Sequence, residues 1–253
     1  MHTMPRASRK PKGGPSPQIL RALLRLRELV LTGELAASKR VTELDLAVRV
    51  GVSRTPLRLA MEQLAHEGLL TRRPGGGFEV RQFTVREIRD AIELRGALEA
   101  TAARFAAERE TLPAELADLS SLVQAMDVVV EAPVPSMEAF ERYLVANAEF
   151  HRRLIVLAQN TWLEGVMAGV IALPFASPNA FVESQATSSE AIRVFTVAQA
   201  HHRGLVEAIA GRQSGRAEAL AREHARLALG YLDTILADRE RFKRLPGAAL
   251  VRV

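Results

Sequence analysis

The chain has 253 residues, 48% of them hydrophobic, a formal net charge of +5 and no cysteine. That length gives room for two domains with separate cores, and the lack of thiols excludes disulfides, thiolate metal sites and cysteine nucleophiles. No apolar run of about 18 residues is present, and the opening MHTMPRASRKPKGGPSPQ has no apolar centre, so neither a membrane span nor a signal peptide is expected and the chain is read as cytoplasmic.

Residues 1–17 read as a disordered basic tail, in which Arg6, Arg9, Lys10 and Lys12 either add nonspecific nucleic-acid affinity or simply solubilise. Thr42 can cap a short helix with Leu44, Ala47 and Val48 inward, and Gly51 stops it where a left-handed residue costs little. After a tight turn, Ser53 can cap a second helix whose inward stripe is Leu57, Met61, Leu64 and Ala65 and which Gly68 ends. Arg54, Thr55 and Arg58 then point outward from its beginning. Guanidinium groups fork onto guanine or phosphate, and amides at a helix N-terminus favour phosphate, so this turn carries the chemistry of a major-groove reader. Strands over 69–73 and 78–81 around Pro74, Gly75, Gly76 and Gly77 complete a hairpin, or wing. The pattern predicts a winged helix-turn-helix over 18–82. Charge agrees, since residues 1–82 hold 15 Lys and Arg against 7 Asp and Glu whereas residues 83–253 hold 19 against 22, the footprint of phosphate binding in the first third.

From residue 83 onward the pattern is helical. Thr84 and Glu87 form a capping box ahead of an amphipathic helix that reaches Glu108 and uses Ile88, Ile92, Leu98 and Ala102. Pro113 opens a helix ending near Val130, Pro133 and Pro135 break the chain, and Ser136 precedes a helix to about Ala158. Asn160 can cap the next, which Pro174 and Pro178 interrupt; Ser189 starts another through Ile209, and Ser214 starts a last one to about Phe242. The fold class is therefore mostly α, an N-terminal winged helix-turn-helix followed by an all-α bundle of six or seven helices over 83–243, with a C-terminal tail at 244–253.

Asn147 and His151 lie four apart on one helical face, and His202 and His224 sit on two further helices, so the four can converge inside a bundle. Spacing alone leaves a metal site and hydrogen-bonded core histidines both open. His201 is turned about 100° from His202, toward the surface or the edge of the site. His66 and His2 lie elsewhere. Phe175, Phe181 and Trp162 are either pocket wall or plain core.

Residues 50–80, VGVSRTPLRLAMEQLAHEGLLTRRPGGGFEV, resemble the DNA-binding domain of the GntR family of bacterial transcription regulators. ELRGALEATAARFAA at 93–107, NAEFHRRL at 147–154, HRGLVEAIAGR at 202–212 and RAEALAREHARLA at 216–228 resemble the FCD effector-binding domain of the FadR subgroup in that family. The resemblance implies an N-terminal helix over 19–31 with Leu20, Leu23, Leu24, Leu26 and Val30 mostly facing the core, DNA contacts from Ser53, Arg54, Thr55 and Arg58, and a wing that Gly75, Gly76 and Gly77 bring into the minor groove. Where many relatives carry an arginine before the turn this chain has Leu44, with Arg49 as the candidate substitute. The resemblance also implies a divalent metal, zinc or nickel, held by Asn147, His151, His202 and His224. Asn147 departs from the usual aspartate: its amide oxygen can coordinate but brings no charge. Arg95 is either the partner of an effector carboxylate, as the resemblance implies, or part of an ordinary ion pair.

These features point to a homodimeric repressor whose affinity for operator DNA changes when a small organic acid binds the bundle, with 82–90 as the transmitting segment. A metalloenzyme built on the three histidines and an effector-free DNA-binding protein are the alternatives. The absence of HExxH, of a nucleophile elbow and of a phosphate-binding loop argues against an enzyme.

Overall fold

The structure is a computed structural model that describes residues 16–132, 136–181 and 189–253. The expectations for Arg6, Arg9, Lys10, Lys12, Pro133 and Pro135 lie outside these residues. Helix α1 (Pro17–Leu31) starts under Ser16, whose hydroxyl accepts from the Ile19 amide, with proline in the first turn where its missing N–H costs nothing. It buries Ala22, Leu26, Leu29 and Val30, whereas Leu20 and Leu24, expected in the core, face solvent. Gln18, Arg21, Arg25 and Glu28 mark its polar face, and the apolar arc opposite is broad enough that periodicity leaves Leu20 and Leu24 at its margin undecided; packing on α3 (Arg54–His66) settles them.

Helix α2 (Glu43–Val50) is capped by the Thr42 hydroxyl and ends at Gly51 with φ 69°. Its inward pair is Leu46 and Val50, while Leu44 and Val48, expected inward, are 62% and 83% exposed. Both pairs have the i, i+4 spacing, and a helix this short offers no longer stripe to separate them. Helix α3 buries Leu57, Met61 and Leu64 as expected, with Ala60 beside them, while Ala65, also expected inward, is half-buried. Strands β2 (Leu70–Arg72) and β3 (Phe78–Val80) form the antiparallel hairpin, and β1 (Arg40–Val41) adds a third strand on the far side of β3. Two residues carry no alternation, which is why β1 leaves no mark in the pattern.

The final ten residues, expected only as a tail, fold back onto the N-terminal domain. β4 (Phe83–Thr84) pairs in parallel with β5 (Val251–Arg252), Gly247 donates to the Leu31 carbonyl at 2.8 Å, and Leu245, Ala248 and Leu250 are buried. Helix α4 (Val85–Glu108) opens with the expected capping box of Thr84 and Glu87. It is followed by α5 (Pro113–Val130), α6 (Met137–Leu157), α7 (Thr161–Ile171), α8 (Ser189–Ala210), α9 (Ser214–Ala237) and α10 (Arg239–Lys243). The single helix expected from Ser214 to Phe242 breaks at Asp238, whose carboxylate accepts from the Arg241 amide and so caps α10.

The six long helices α4–α9 form the bundle, and α4 lies against α9 along much of its length. A Cβ on Gly96 would lie 2.5 Å from that of Ala225, so glycine sets the depth of this crossing. Phe150, Leu119, Met126 and Leu205 belong to the bundle core. A second cluster runs from Leu26, Leu57 and Leu64 of the winged domain into Phe175, Tyr231, Ile235 and Phe242 at the base of the bundle, so the two domains share apolar packing. Among the described residues no helix is long and apolar enough to cross a membrane.

Candidate nucleic-acid interface and metal centre

At the start of α3, Ser53, Arg54, Thr55 and Arg58 are all exposed. The Ser53 hydroxyl makes no cap hydrogen bond, which leaves the first-turn amides of α3 open to a ligand. Arg54 and Arg58 make no ion pair among the described residues, unlike most arginines around them: Arg49 meets Glu34 at 3.2 Å, Arg72 meets Glu62 at 3.0 Å and Arg73 meets Glu79 at 2.7 Å. Arg49, the candidate substitute for the missing contact at Leu44, is thus engaged by a carboxylate of its own domain. At the wing tip Gly75, Gly76 and Gly77 are exposed, and Gly76 and Gly77 have φ of 82° and 81°, which a side chain would strain. Beside the wing, Lys39 and Arg40 are exposed and also free of ion pairs among the described residues; Arg40 flanks Gly77. Neither was legible in the sequence, because only the pairing of β1 with β3 brings them beside the wing.

In the bundle, α6, α8 and α9 bring His151, His202 and His224 together with ligating atoms all within 4.8 Å of one another. Ring centroids are 5.2 Å apart for His151 and His224 and 4.5 Å for His202 and His224. His151 and His202 are buried, and His224 is partly open where it lines a cavity, yet its Nδ1 is inside. Burial first, and the neighbouring histidines second, push His202 and His224 well below the ordinary histidine pKa. Both rings are therefore neutral at pH 7, the form a metal requires. His202 Nε2 and His224 Nδ1 have no hydrogen-bond partner, an expense of burial that a divalent ion would relieve; the donor set fits such an ion. His201 stays at the edge of the cluster, its ring 5.9 Å from that of His224.

Asn147 is buried and donates its amide to Asn179 Oδ1 at 2.8 Å, while Asn179 donates to the Leu144 carbonyl. Arg95 is buried too, hydrogen-bonded through Nη1 to the Ala176 carbonyl at 3.2 Å. Arg95, Asn147 and His224 line a cavity of about 60 Å³ with Phe181 and Tyr143. Of the three aromatic residues considered for its wall, Phe181 lines it, Phe175 lies at the junction with the winged domain, and Trp162 is 84% exposed on α7.

Sequence reasoning missed Glu99 and Gln199. Glu99 is buried with Oε1 2.9 Å from His151 Nδ1. Burial raises its pKa, but His151 and Arg95 outweigh that and hold the carboxyl well below the usual range. Its signal was available, because Glu99 shares a helical face with Ile92, Arg95, Ala102, Ala103 and Ala106, all buried. Gln199 Oε1 accepts from His202 Nδ1 at 3.1 Å, and the Gln199 amide nitrogen donates to the Val123 carbonyl.

Residues 90–227 match the FCD domain family and residues 18–80 match the family described as bacterial regulatory proteins, gntR family. This chain belongs to the GntR family, with an FCD domain. GntR-family relatives include the Nta operon transcriptional regulator of Aminobacter aminovorans, 38% identical over 48% of this chain and 55% of that protein. A probable D-xylose utilization operon transcriptional repressor of Paenarthrobacter nicotinovorans is 32% identical over 53% of this chain and 56% of that one. The chain thus spans about half the length of these curated relatives. Among solved structures, E. coli McbR/YncC shares the fold with a TM-score of 0.57 at 20% identity, over 86% of this chain and 97% of that one. The structure titled for Lar, which controls the expression of the Listeria monocytogenes agr system, aligns with a TM-score of 0.55 at 19% identity, over 86% and 97%. The matched family is one of bacterial regulatory proteins and these relatives are named as transcription regulators, so the metalloenzyme alternative finds no support among them.

Proposed function

We propose that this protein is a homodimeric transcription regulator, a repressor, that binds operator DNA through α3 and the wing and releases it when a small organic acid binds the bundle. The reading rests on one observation above all: a single GntR-family chain carries unpaired, exposed cations at the head of α3 and a buried histidine pocket beside Arg95. In this reading Ser53, Arg54, Thr55 and Arg58 meet the major groove, Gly75, Gly76 and Gly77 let the wing approach the minor groove, and Lys39 and Arg40 meet phosphates. Arg49 contributes only if it exchanges Glu34 for DNA. His151, His202 and His224 hold zinc or nickel, with the Asn147 amide oxygen as a weak further donor. The bound ion supplies positive charge and open coordination positions for a carboxylate, and Arg95 pairs with the same acid by charge-assisted hydrogen bonds. Two of the relatives are named for operons, one as a repressor, which favours the same role here.

The test is fluorescence anisotropy of the full chain on DNA fragments from the promoter beside its own gene, with and without zinc and a panel of mono- and dicarboxylic acids. Specific binding that at least one acid weakens is expected. Binding no tighter than to random DNA sinks the regulator reading, and specific binding that no acid alters leaves an effector-free DNA-binding protein instead.

A further inference from the structure

Among the described residues, the negative charge nearest the three histidines comes from α4, not from position 147. Glu99 is 2% exposed and faces His151 Nδ1 at 2.9 Å and Arg95 Nε at 3.8 Å, and neither contact is aligned as a hydrogen bond. A carboxylate so deeply buried persists only where positive charge compensates it. Arg95 compensates it in part, since its Nη1 is spent on the Ala176 carbonyl and its Nε has no hydrogen-bond partner. Asn147 meanwhile commits its amide nitrogen to Asn179 and contributes a dipole without a charge. The histidines are treated unequally: His202 Nδ1 meets the neutral amide of Gln199, whereas His151 Nδ1 meets a carboxylate.

Resting on the cation site proposed above, we propose that Glu99 is the positioning residue of that site. With the cation bound, a small rotation of the His151 ring would let Glu99 accept its Nδ1 proton and hold the ring so that Nε2 is the ligating atom, and Glu99 supplies the negative charge that asparagine at 147 withholds. A carboxylate behind a ligating imidazole fixes its tautomer and raises its basicity. Because Glu99 acts through His151 and not on the ion, it strengthens the site without occupying a coordination position an incoming acid would use.

Calorimetric titration of the chelator-stripped full chain with zinc alone tests this in the unsubstituted protein, Glu99→Gln, Asn147→Asp and the double variant, with circular dichroism to verify folding. Glu99→Gln is expected to weaken zinc binding by about 10- to 100-fold. Asn147→Asp is expected to tighten it, and adding Asn147→Asp to Glu99→Gln to recover most of the loss. Because Asn147→Asp tightens zinc by itself, coupling between the two positions shows only as non-additivity: if Glu99 supplies the charge that asparagine at 147 withholds, Asn147→Asp gains more in the Glu99→Gln background than in the unsubstituted chain, and strictly additive effects overturn the proposal. Unchanged zinc affinity in Glu99→Gln overturns it while leaving the cation site standing. No zinc uptake by the unsubstituted chain removes both. A second readout needs no variant: long-range proton–nitrogen correlation spectra of the zinc-loaded chain should show His151 protonated at Nδ1 and metal-shifted at Nε2, and the opposite tautomer also overturns the assignment.

Discussion

The head of α3 and the histidine pocket both set polar groups aside for something other than the fold, and they do so in opposite surroundings. Arg54 and Arg58 stand in water, free of ion pairs among the described residues, so leaving them unpaired costs the folded state almost nothing. His151, His202 and His224 sit inside a bundle with ring nitrogens lacking partners, where each such atom opposes folding. Ligand-facing groups on the winged domain should therefore be separable from stability, while those in the bundle should not.

The largest expected effect lies on the bundle side. Phe150 is fully buried with its ring 4.5 Å from that of His202, so Phe150→Ala should cost about 3–5 kcal/mol of stability and disorganise the histidines together. Arg58→Ala should change stability by no more than about 0.5 kcal/mol. Urea unfolding of the two variants measures both, and similar losses would break the contrast.

Acid should expose the same difference. His202 and His224 have pKa values lowered by folding, so they remain neutral in the native state while the unfolded chain takes up their protons below the ordinary histidine pKa of about 6.5. Their contribution is intact above that pH and is lost as pH falls through and below it, by up to about 1.4 kcal/mol per pH unit for each ring. Metal-free protein unfolded in urea at pH 7.5 and 5.5 should be clearly less stable at the lower pH. A pH-independent midpoint would mean that the rings are not held neutral.

On the winged domain the expected losses are in binding. Arg54→Ala and Arg58→Ala should each cost about 1–3 kcal/mol of specific DNA affinity with unchanged thermal unfolding, if each reads a base. Gel-shift titration against the operator and a scrambled duplex separates base reading from phosphate contact, and undiminished binding in both variants would remove α3 as the reader. The smallest effect is expected at Lys39 and Arg40. Replacing either with alanine should weaken all sequences about equally and reduce the slope of log affinity against log salt by about 0.9 per lost phosphate contact, hence about 1.8 for the dimer. A change in preferred sequence would show that β1 reads bases.

The capped boundaries were legible in the chain because their determinants are local. Thr84 and Glu87 cap α4, Asn160 caps α7 through the Trp162 and Leu163 amides, and Gly51 ends α2 with a positive φ, each requiring only residues within one turn. The break at Asp238 was as local but lay within a continuous helical pattern, where a capping aspartate looks like any exposed acid. The faces of short or evenly apolar helices were not legible: α2 turned Leu46 and Val50 inward and Leu44 and Val48 outward because α3 lay on that side.

The candidate site divides in the same way. Histidines on three helices could be named from spacing, yet their approach to within 4.8 Å and the carboxylate behind His151 arise from helices far apart in the chain, whereas the amide behind His202 lies three residues away on the same helix. The amino-acid sequence by itself determined the two-domain plan, the helix caps, the exposed arginines of α3 and the identity of the imidazoles, since periodicity, capping and charge act over a few residues. Only the tertiary structure decided that the last ten residues join the winged domain, that Trp162 faces solvent and that Glu99 lies buried beside His151. Those outcomes depend on which surfaces meet across more than fifty residues of chain, as between Glu99 and His151, and that meeting is set by the packing of whole helices rather than by any local pattern.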